Sequence, residues 1–216
     1  MANINELITP MIFTFVRDAV CNMLANERDN QILLAKELGY SDEDIENELK
    51  FTIYPKRFRV PDISEMPCVY VYFDNIDFPD EEQYPNENYA MANLQVDYYC
   101  VGQNTVVNGI TEKYADENAE DRMNYLTSQL YKILSCEGNF CKGTNKIVNH
   151  VKIKSWRRII TPAETNQAVS VLGGSFAYEL GFFEPTYYAN TFKIDELYIK
   201  TQIRDEFVSS KVLKVQ

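Results

Sequence analysis

The chain has 216 residues, enough to bury a sizeable core, and its formal net charge of −11 argues against a general nucleic-acid or anionic-membrane binder, because such proteins need clustered Lys and Arg. Tyrosine (15) and phenylalanine (12) are frequent, which favours sheets and protein interfaces. The five cysteines form no C-x-x-C pair and are expected to be reduced thiols of a cytoplasmic protein, and no apolar run approaches the roughly 20 residues of a membrane span.

The first part of the chain is predicted to be helical. Residues 9–26 carry apolar side chains at spacings of three and four, which is typical of a helix that packs on a sheet. Residues 29–38 are predicted to form a second helix that ends at Gly39. Ser41 then caps a short acidic helical turn, and we interpret residues from about 28 to 50 as a solvated acidic helical insertion.

Two strands separated by an acidic loop are predicted next. Residues 67–74 are dense in β-branched and aromatic side chains, which indicates a central strand. Residues 90–102 alternate apolar and polar side chains, so they predict a half-buried strand. Residues 102–114 are predicted to be a polar loop. The acidic loop between the two strands carries Asp74, Asp77, Asp80, Glu81 and Glu82.

The second half of the chain is predicted to contain one helix and two long strands. Residues 116–136 begin with acidic side chains and carry Lys132 near their end, as the helix dipole prefers. Two β segments follow, and the second contains Gly173 and Gly174, which predict a bulge or bend. We interpret residues from about 186 to 216 as a C-terminal extension.

This order of elements predicts a single α+β domain over residues 1–216. The expected architecture is a mainly antiparallel β-sheet with two principal helices packed on one face. No repeat, low-complexity tract or linker divides the chain.

Charges are segregated along the sequence. Residues 60–112 contain ten acidic residues and no Lys or Arg, whereas residues 138–163 contain six basic residues and no acid. The basic block includes the predicted strand VKIKSWRRII, which places four cations on one face when they are counted together. Two interpretations stay open: the basic strand and the acidic loop neutralise each other within one subunit, or they meet between copies, since complementary patches favour head-to-tail association. The four cations are Lys152, Lys154, Arg157 and Arg158.

The sequence contains little that suggests catalysis. His150 is the single histidine and lies in a strand-like stretch, so we expect a structural or surface role. Residues 138–144 have glycines at P-loop spacing but lack the Lys before the Thr and follow a helix. The acidic loop could bind Ca²⁺ or Mg²⁺ in principle, but its spacing matches no EF-hand loop, so we interpret it as a solvated loop. We therefore expect no enzyme, no cofactor and no metal site, and a metal-dependent hydrolase that uses the acidic loop is the more distant alternative.

The layout of the chain resembles the tail terminator proteins of tailed bacteriophages. The resemblance covers about residues 5–185 and depends on the leading amphipathic helix, CVYVYF, ANLQVDYYC, AEDRMNYLTSQLYKIL, VKIKSWRRII and GGSFAYELGFF, in that order. It implies a tail-terminator-like fold and a homo-oligomeric ring, a hexamer, that caps the tail tube and joins it to the head or neck. The acidic insertion, the loop after Asp74 and the C-terminal extension depart from the pattern, so a head-closure or connector neck protein is the alternative.

The resemblance also implies partners and a location. The partners are further copies of the chain, the tail tube protein and head–tail connector or neck proteins, with no membrane involved. DNA passes through the lumen of such a ring without specific binding. The resemblance implies a location in the tail or neck of the virion, and in the host cytoplasm during assembly. We expect the four cations of the basic strand to contact acidic loops of an adjacent subunit or the tail tube.

Overall fold

The structure is a computed structural model, and it describes residues 11–56, 61–79, 83–84, 87–135, 143–144, 147–159, 168–185, 196–197 and 213–214. The helices are α1 (Ile12–Glu37), α2 (Asp42–Glu48) and α3 (Ala115–Leu134), and Ile63–Glu65 form a 3-10 turn. The strands are β1 (Thr52–Tyr54), β2 (Cys68–Asp77), β3 (Gln83–Tyr84), β4 (Glu87–Gln103), β5 (Thr105–Val107), β6 (Ile110–Lys113), β7 (Val148–Ile159), β8 (Val169–Pro185), β9 (Glu196–Leu197) and β10 (Leu213–Lys214). The predicted α+β class is confirmed.

The central sheet is mixed, with the strand order β1-β2-β4-β8-β7 and with β3 paired to the start of β4. β1 runs parallel to β2, and every other neighbouring pair in this sheet is antiparallel. β4 and β8 pair along their whole length, from Glu87 opposite Pro185 to Gln103 opposite Val169. β1 and β7 therefore lie at the two ends of this strand order, and the basic segment is an edge strand.

A single long helix replaces the two helices expected in the first part of the chain. α1 runs without interruption over 26 residues. It continues through the expected break at residues 27–28, where the Arg28 guanidinium donates to the Phe51 carbonyl oxygen at 2.8 Å and lies over the Phe51 ring. The predicted end is confirmed: Gly39 has a φ of 84°, and its N–H donates to the Lys36 carbonyl oxygen at 3.1 Å.

The capping and dipole predictions for the two other helices are confirmed. The Ser41 hydroxyl accepts the Asp44 N–H at 3.1 Å and begins α2. α3 carries Asp116 and Glu117 in its first turn and Lys132 in its last. The glycine predicted to end α3, Gly138, lies outside the described residues.

α1 and α3 cover one side of the sheet, which we call the helix face. Their buried side chains form one cluster with inward-facing residues of β2, β4 and β8. Each fully buried leucine in it contributes about 1.5–3 kcal/mol relative to exposure. The members without measurable exposure include Val20, Leu24, Val69, Leu94, Tyr98, Leu130, Tyr178 and Phe182.

The opposite side of the sheet, which we call the open face, combines tyrosines with polar side chains. A smaller buried cluster of Cys68, Tyr70 and Tyr99 lies here. Asp97, predicted as the polar side of a half-buried strand, is only 1% exposed, and its carboxylate accepts the Tyr72 hydroxyl at 2.9 Å. This part of β4 is therefore buried on both faces rather than on one.

Gly173 and Gly174 do not form the predicted bulge, because they pair in unbroken register with Tyr99 and Tyr98. Each glycine instead leaves room for a tyrosine ring. A Cβ on Gly174 would lie 2.3 Å from the Tyr98 hydroxyl oxygen, and one on Gly173 would lie 3.0 Å from a Tyr99 ring carbon. The glycines thus serve close cross-strand packing rather than a bend.

The predicted polar loop after β4 contains a hairpin. β5 and β6 pair around Asn108 and Gly109, which have φ values of 53° and 79°. Two residues with positive φ are what a type I′ hairpin turn needs, and Asn-Gly is its strongest sequence signal. The prediction of a polar loop without strands is therefore corrected to a two-stranded hairpin.

Candidate functional site

The four cations of the basic strand do not share one face of the sheet. Arg158 lies on the helix face, where its guanidinium is 3.7 Å from the Glu120 carboxylate of α3. Arg157 precedes it and points to the open face, opposite Ser175 of β8. The prediction that one face carries all four cations is therefore wrong.

A β-bulge causes this division. The register of β7 against β8 shifts between Ile153 and Ser155, so Lys154 is an extra residue without a cross-strand partner. Lys152 stays on the open face opposite Glu179, whereas the residues after the bulge change sides relative to strict alternation. Trp156 and Arg158 consequently reach the helix face.

Glu179 of β8 lies close to two residues of β7. The Lys154 ammonium is 2.5 Å from one of its carboxylate oxygens, and His150 Nε2 is 3.4 Å from the other. The hydrogen bond from Lys154 is the main reason that the pKa of Glu179 is held below its ordinary value. The charge of Lys154 is thus partly matched within the subunit.

The remaining two cations have no such partner in the described part of the chain. Among the residues that the structure describes, Lys152 and Arg157 take part in no ion pair, and both are exposed. An exposed cation that is not matched inside its own subunit is available to an acidic group of another molecule.

The described part of the acidic segment lies on β2, towards the opposite edge of the sheet from β7. Asp74 and Asp77 are exposed near the end of β2, and Asp77 accepts a 2.8 Å hydrogen bond from the Asn75 amide. Asp74 is itself an extra residue, because the register of β2 against β4 shifts between Phe73 and Asn75. The other members of the predicted acidic set, Asp80, Glu81 and Glu82, lie outside the described residues.

These acidic and basic groups are too far apart to pair within one subunit. β4 and β8 stand between β2 and β7, and three spacings between neighbouring strands amount to about 14 Å. In the described ranges, no ion pair joins Asp74 or Asp77 to Lys152 or Arg157. Asp74 and Asp77 therefore do not neutralise Lys152 and Arg157 within the described part of one chain.

Both of these strands have an outer edge that is largely unpaired within the described part of the chain. β7 pairs with β8 alone, and β1 covers just the first three residues of β2, Cys68 to Tyr70. The outer edge of a strand presents N–H and C=O groups in a row, so it is a template for association unless charges or bulges restrict it. Here both edges carry a bulge and charged side chains.

A hydrogen-bond chain that the sequence did not reveal holds the basic edge in place. The Trp156 indole N–H donates to the Tyr98 hydroxyl oxygen at 2.7 Å, and this oxygen lies 2.5 Å from the Thr127 hydroxyl of α3. The Thr127 hydroxyl in turn donates to the Met123 carbonyl oxygen at 2.6 Å. Trp156 remains 47% exposed, so the edge presents an aromatic side chain of the type that is enriched at interfaces.

Apolar side chains are exposed at two further places. The β5–β6 hairpin exposes Val106, Val107 and Ile110, and the end of α1 with the residues after it exposes Leu33, Leu34, Leu38 and Tyr40. Exposed apolar groups that cluster are typical of contact surfaces. The Asn108-Gly109 dipeptide between β-branched residues was the sequence signal for the first of these.

The described residues contain no group of three or more His, Cys, Asp or Glu side chains placed to hold a metal ion. Burial raises the pKa of Cys21, Cys68 and Cys100 to about 12, so these thiols stay protonated at neutral pH and are poor nucleophiles. Across the described segments, none of the helices has the length and apolar character to cross a membrane.

A polar cavity of about 720 Å³ lies between α2, α3 and the hairpin. Arg122, one of the cations that line this cavity, already has hydrogen-bond partners within the chain. Its guanidinium donates to the Val101 carbonyl oxygen and to the Asn47 side chain, both at 2.9 Å. These two bonds join α2 to β4 and make the cavity wall a structural joint.

The geometry therefore singles out the two charged edges of the sheet as the candidate functional site. These two edges carry opposite charges and a bulge each, and β7 also carries the exposed Trp156. A comparison with models of known protein families gave no match, and a comparison with curated proteins gave none either.

Proposed function

We propose that the chain is a structural virion protein of a tailed bacteriophage. In this proposal it is a tail terminator, which forms a homo-oligomeric ring, a hexamer, caps the tail tube and joins it to the head or neck. The α+β arrangement is then a tail-terminator-like fold with α1 and α3 as its two principal helices. The ring works by binding, contacts the tail tube and connector proteins, and lets DNA pass through its lumen.

The observation that carries the proposal is that opposite charges lie near the two opposite edges of one sheet. Asp74 and Asp77 lie beside β2, whereas Lys152 and Arg157 lie on β7 and have no ion-pair partner in the described part of the subunit. A surface that is complementary to a different surface of the same molecule favours head-to-tail contacts, and such contacts close into rings. The order of helices and strands in the resembling family supports the same conclusion.

The exposed apolar groups support a second set of contacts. A ring that joins a tube to a connector needs contact surfaces for other proteins besides its subunit contacts. The hairpin residues Val106, Val107 and Ile110 are 56%, 42% and 70% exposed, and they lie outside the central sheet. Such a projecting apolar hairpin suits a contact with a neighbouring component.

Polymerisation of the tail tube protein of the same phage tests the proposal. We expect tubes formed with the chain present to end in a ring, visible by electron microscopy, and to stop growing. Tubes that keep the length distribution of a control with heat-unfolded chain, and that carry no ring, would refute the terminator role. Binding to connector proteins without any effect on tubes would instead identify a head-side neck protein.

A further inference from the structure

The acidic side chains of β2 and the basic side chains of β7 lie at the same height, by which we mean the same position along the strand direction. Cross-strand pairing defines rows of residues perpendicular to the strands, and one row passes from β7 through β8 and β4 to β2. Its members are Lys152, Glu179, Asn93 and Asn75. A second row at the same end of the sheet consists of His150, Gly181, Met91 and Asp77.

The bulged residues belong to this same level. Asp74 is the extra residue next to Asn75, and Lys154 is the extra residue two positions after Lys152. Bulges on edge strands disfavour indiscriminate strand pairing. Each edge therefore carries a charged side chain at the position where its regular backbone hydrogen-bond pattern is interrupted. A partner is then recognised through these side chains rather than through backbone hydrogen bonds alone.

β1 leaves this level of β2 uncovered within the described residues. Its three residues pair with Cys68, Val69 and Tyr70, and these lie in the rows of Arg157, Arg158 and Ile159 at the other end of β7. The free stretch of β2 thus coincides in height with the lysines of β7.

Strand direction is also compatible with contact between copies. β7, β8, β4 and β2 are antiparallel in succession, so β2 runs antiparallel to β7. A second copy placed beside the first by rotation about an axis along the strands keeps this relation. Its β2 then lies antiparallel to β7 of the first copy, which is the more favourable arrangement of two strands.

We propose that the β7 edge of one subunit docks on the β2 edge of a second copy without displacement along the strands, so that Lys152 and Lys154 face Asp74 and Asp77. A rotation without such displacement closes into a flat ring, whereas a rotation with displacement produces a helical filament. The inference depends on the proposed ring function and specifies which surfaces form its subunit contact.

Charge exchange at one pair of residues tests the contact. Lys152 and Asp74 take part in no ion pair in the described part of the chain, so Asp74→Lys should leave the melting temperature nearly unchanged. Lys152→Glu should lower it slightly, because the new carboxylate lies directly opposite Glu179. We expect each single variant to raise the dissociation constant for self-association about tenfold, because attraction becomes repulsion at each contact. The double variant should return to within about threefold of the wild type.

Sedimentation velocity of the full chain at about 50 and about 300 mM salt provides the measurement, since an ionic contact weakens with salt. An equimolar mixture of the two single variants should associate like the wild type, because every contact then joins opposite charges. Lys132→Glu is the matched control: it makes the same charge change at an exposed position of α3, which belongs to neither edge strand. We expect it to associate like the wild type.

Three results would overturn the edge contact: single variants that associate normally, a double variant as weak as the singles, or a wild type that stays monomeric up to about 1 mM. Failure of the contact and failure of the ring function are separable. If the wild-type chain caps tail tubes but both single variants associate normally, the proposed function stands and the proposed contact is wrong. If the double variant regains association but the wild-type chain does not cap tail tubes, the proposed contact stands and the proposed function is wrong.

Discussion

Trp156 on the edge strand β7 donates its indole N–H to the hydroxyl oxygen of Tyr98 on β4, although β8 lies between the two strands. The bond crosses above Gly174, the cross-strand partner of Tyr98, whose missing side chain leaves room for the tyrosine ring. The same hydroxyl oxygen lies 2.5 Å from Thr127 of α3. Three elements are thereby joined at one oxygen, and the position of the charged edge depends on the centre of the sheet.

Removal of the indole donor should destabilise the fold modestly. Trp156→Phe keeps an aromatic ring but loses one hydrogen bond, which lowers the free energy of unfolding by about 1 kcal/mol. Urea titration followed by circular dichroism measures the change. Tyr125→Phe is the control, because that side chain is 55% exposed on α3 and the substitution should cost about 0.5 kcal/mol or less. Equal effects of the two substitutions would show that the bond to Tyr98 contributes nothing.

The space above Gly174 yields a sharper expectation. An added methyl group would lie 2.3 Å from the Tyr98 hydroxyl oxygen and 2.4 Å from the adjoining ring carbon. Gly174→Ala should therefore lower the free energy of unfolding by about 1–3 kcal/mol or more, since a buried ring has to move. Gly143→Ala provides the comparison, because the nearest described atoms to its added methyl group belong to the flexible Met23 side chain, at 3.3 Å or more. A Gly174→Ala protein as stable as this control would contradict the close packing.

Local patterns allowed the helices to be predicted and left the sheet order open. The buried stripe of α3 repeats at helical spacing, so neighbouring residues in the sequence contain the whole signal. The edge position of β7 depends instead on pairing with β8, which leaves the other side of β7 without a partner strand in the described residues. Strand order is a nonlocal property, and no spacing within the segment 151–160 encodes it.

The sequence predicted which charged residues form the candidate site, but not how they are arranged on the sheet. Strict alternation places Lys152, Lys154 and Arg158 on one face, and the bulge after Ile153 breaks that alternation. A bulge is stabilised by the partner strand and the packing around it, so the basic segment alone does not reveal it. The hairpin at Asn108 is a different case, because its Asn-Gly signal was present in the sequence.

A buried carboxylate at the start of α1 should make stability depend on pH. Glu184 of β8 is 5% exposed and accepts the Ile12 N–H at 2.8 Å, and burial is the main reason that its pKa lies above its ordinary value. A carboxyl group with a raised pKa in the folded state contributes stability that is complete below its unfolded pKa, about 4.3, and is lost as pH rises through its folded pKa.

Glu184→Gln removes this dependence while it keeps an oxygen acceptor for the Ile12 N–H. We expect the stability of the variant, relative to the wild type, to increase as pH rises from about 4 towards neutrality. Urea unfolding at several pH values measures the difference. Glu37→Gln, on an exposed side chain at the end of α1, is the control and should show no such trend. A pH-independent difference between Glu184→Gln and the wild type would contradict the raised pKa.

The carboxylate of Glu179 distinguishes the two lysines of the basic edge. Lys154 is 2.5 Å from it and holds its pKa below the ordinary value, whereas Lys152 forms no ion pair in the described part of the chain. Lys154→Gln should therefore raise the pKa of Glu179 towards about 4.3, and Lys152→Gln should change it much less. A carboxyl group with a lowered pKa contributes stability that is present above its unfolded pKa and lost as pH falls, so Lys154→Gln should also reduce the loss of stability in acid. Titration of the Glu179 side-chain carboxyl carbon by NMR separates the two variants. Equal shifts in both would mean that the bulge does not select Lys154, and that both lysines are equally engaged within their own subunit.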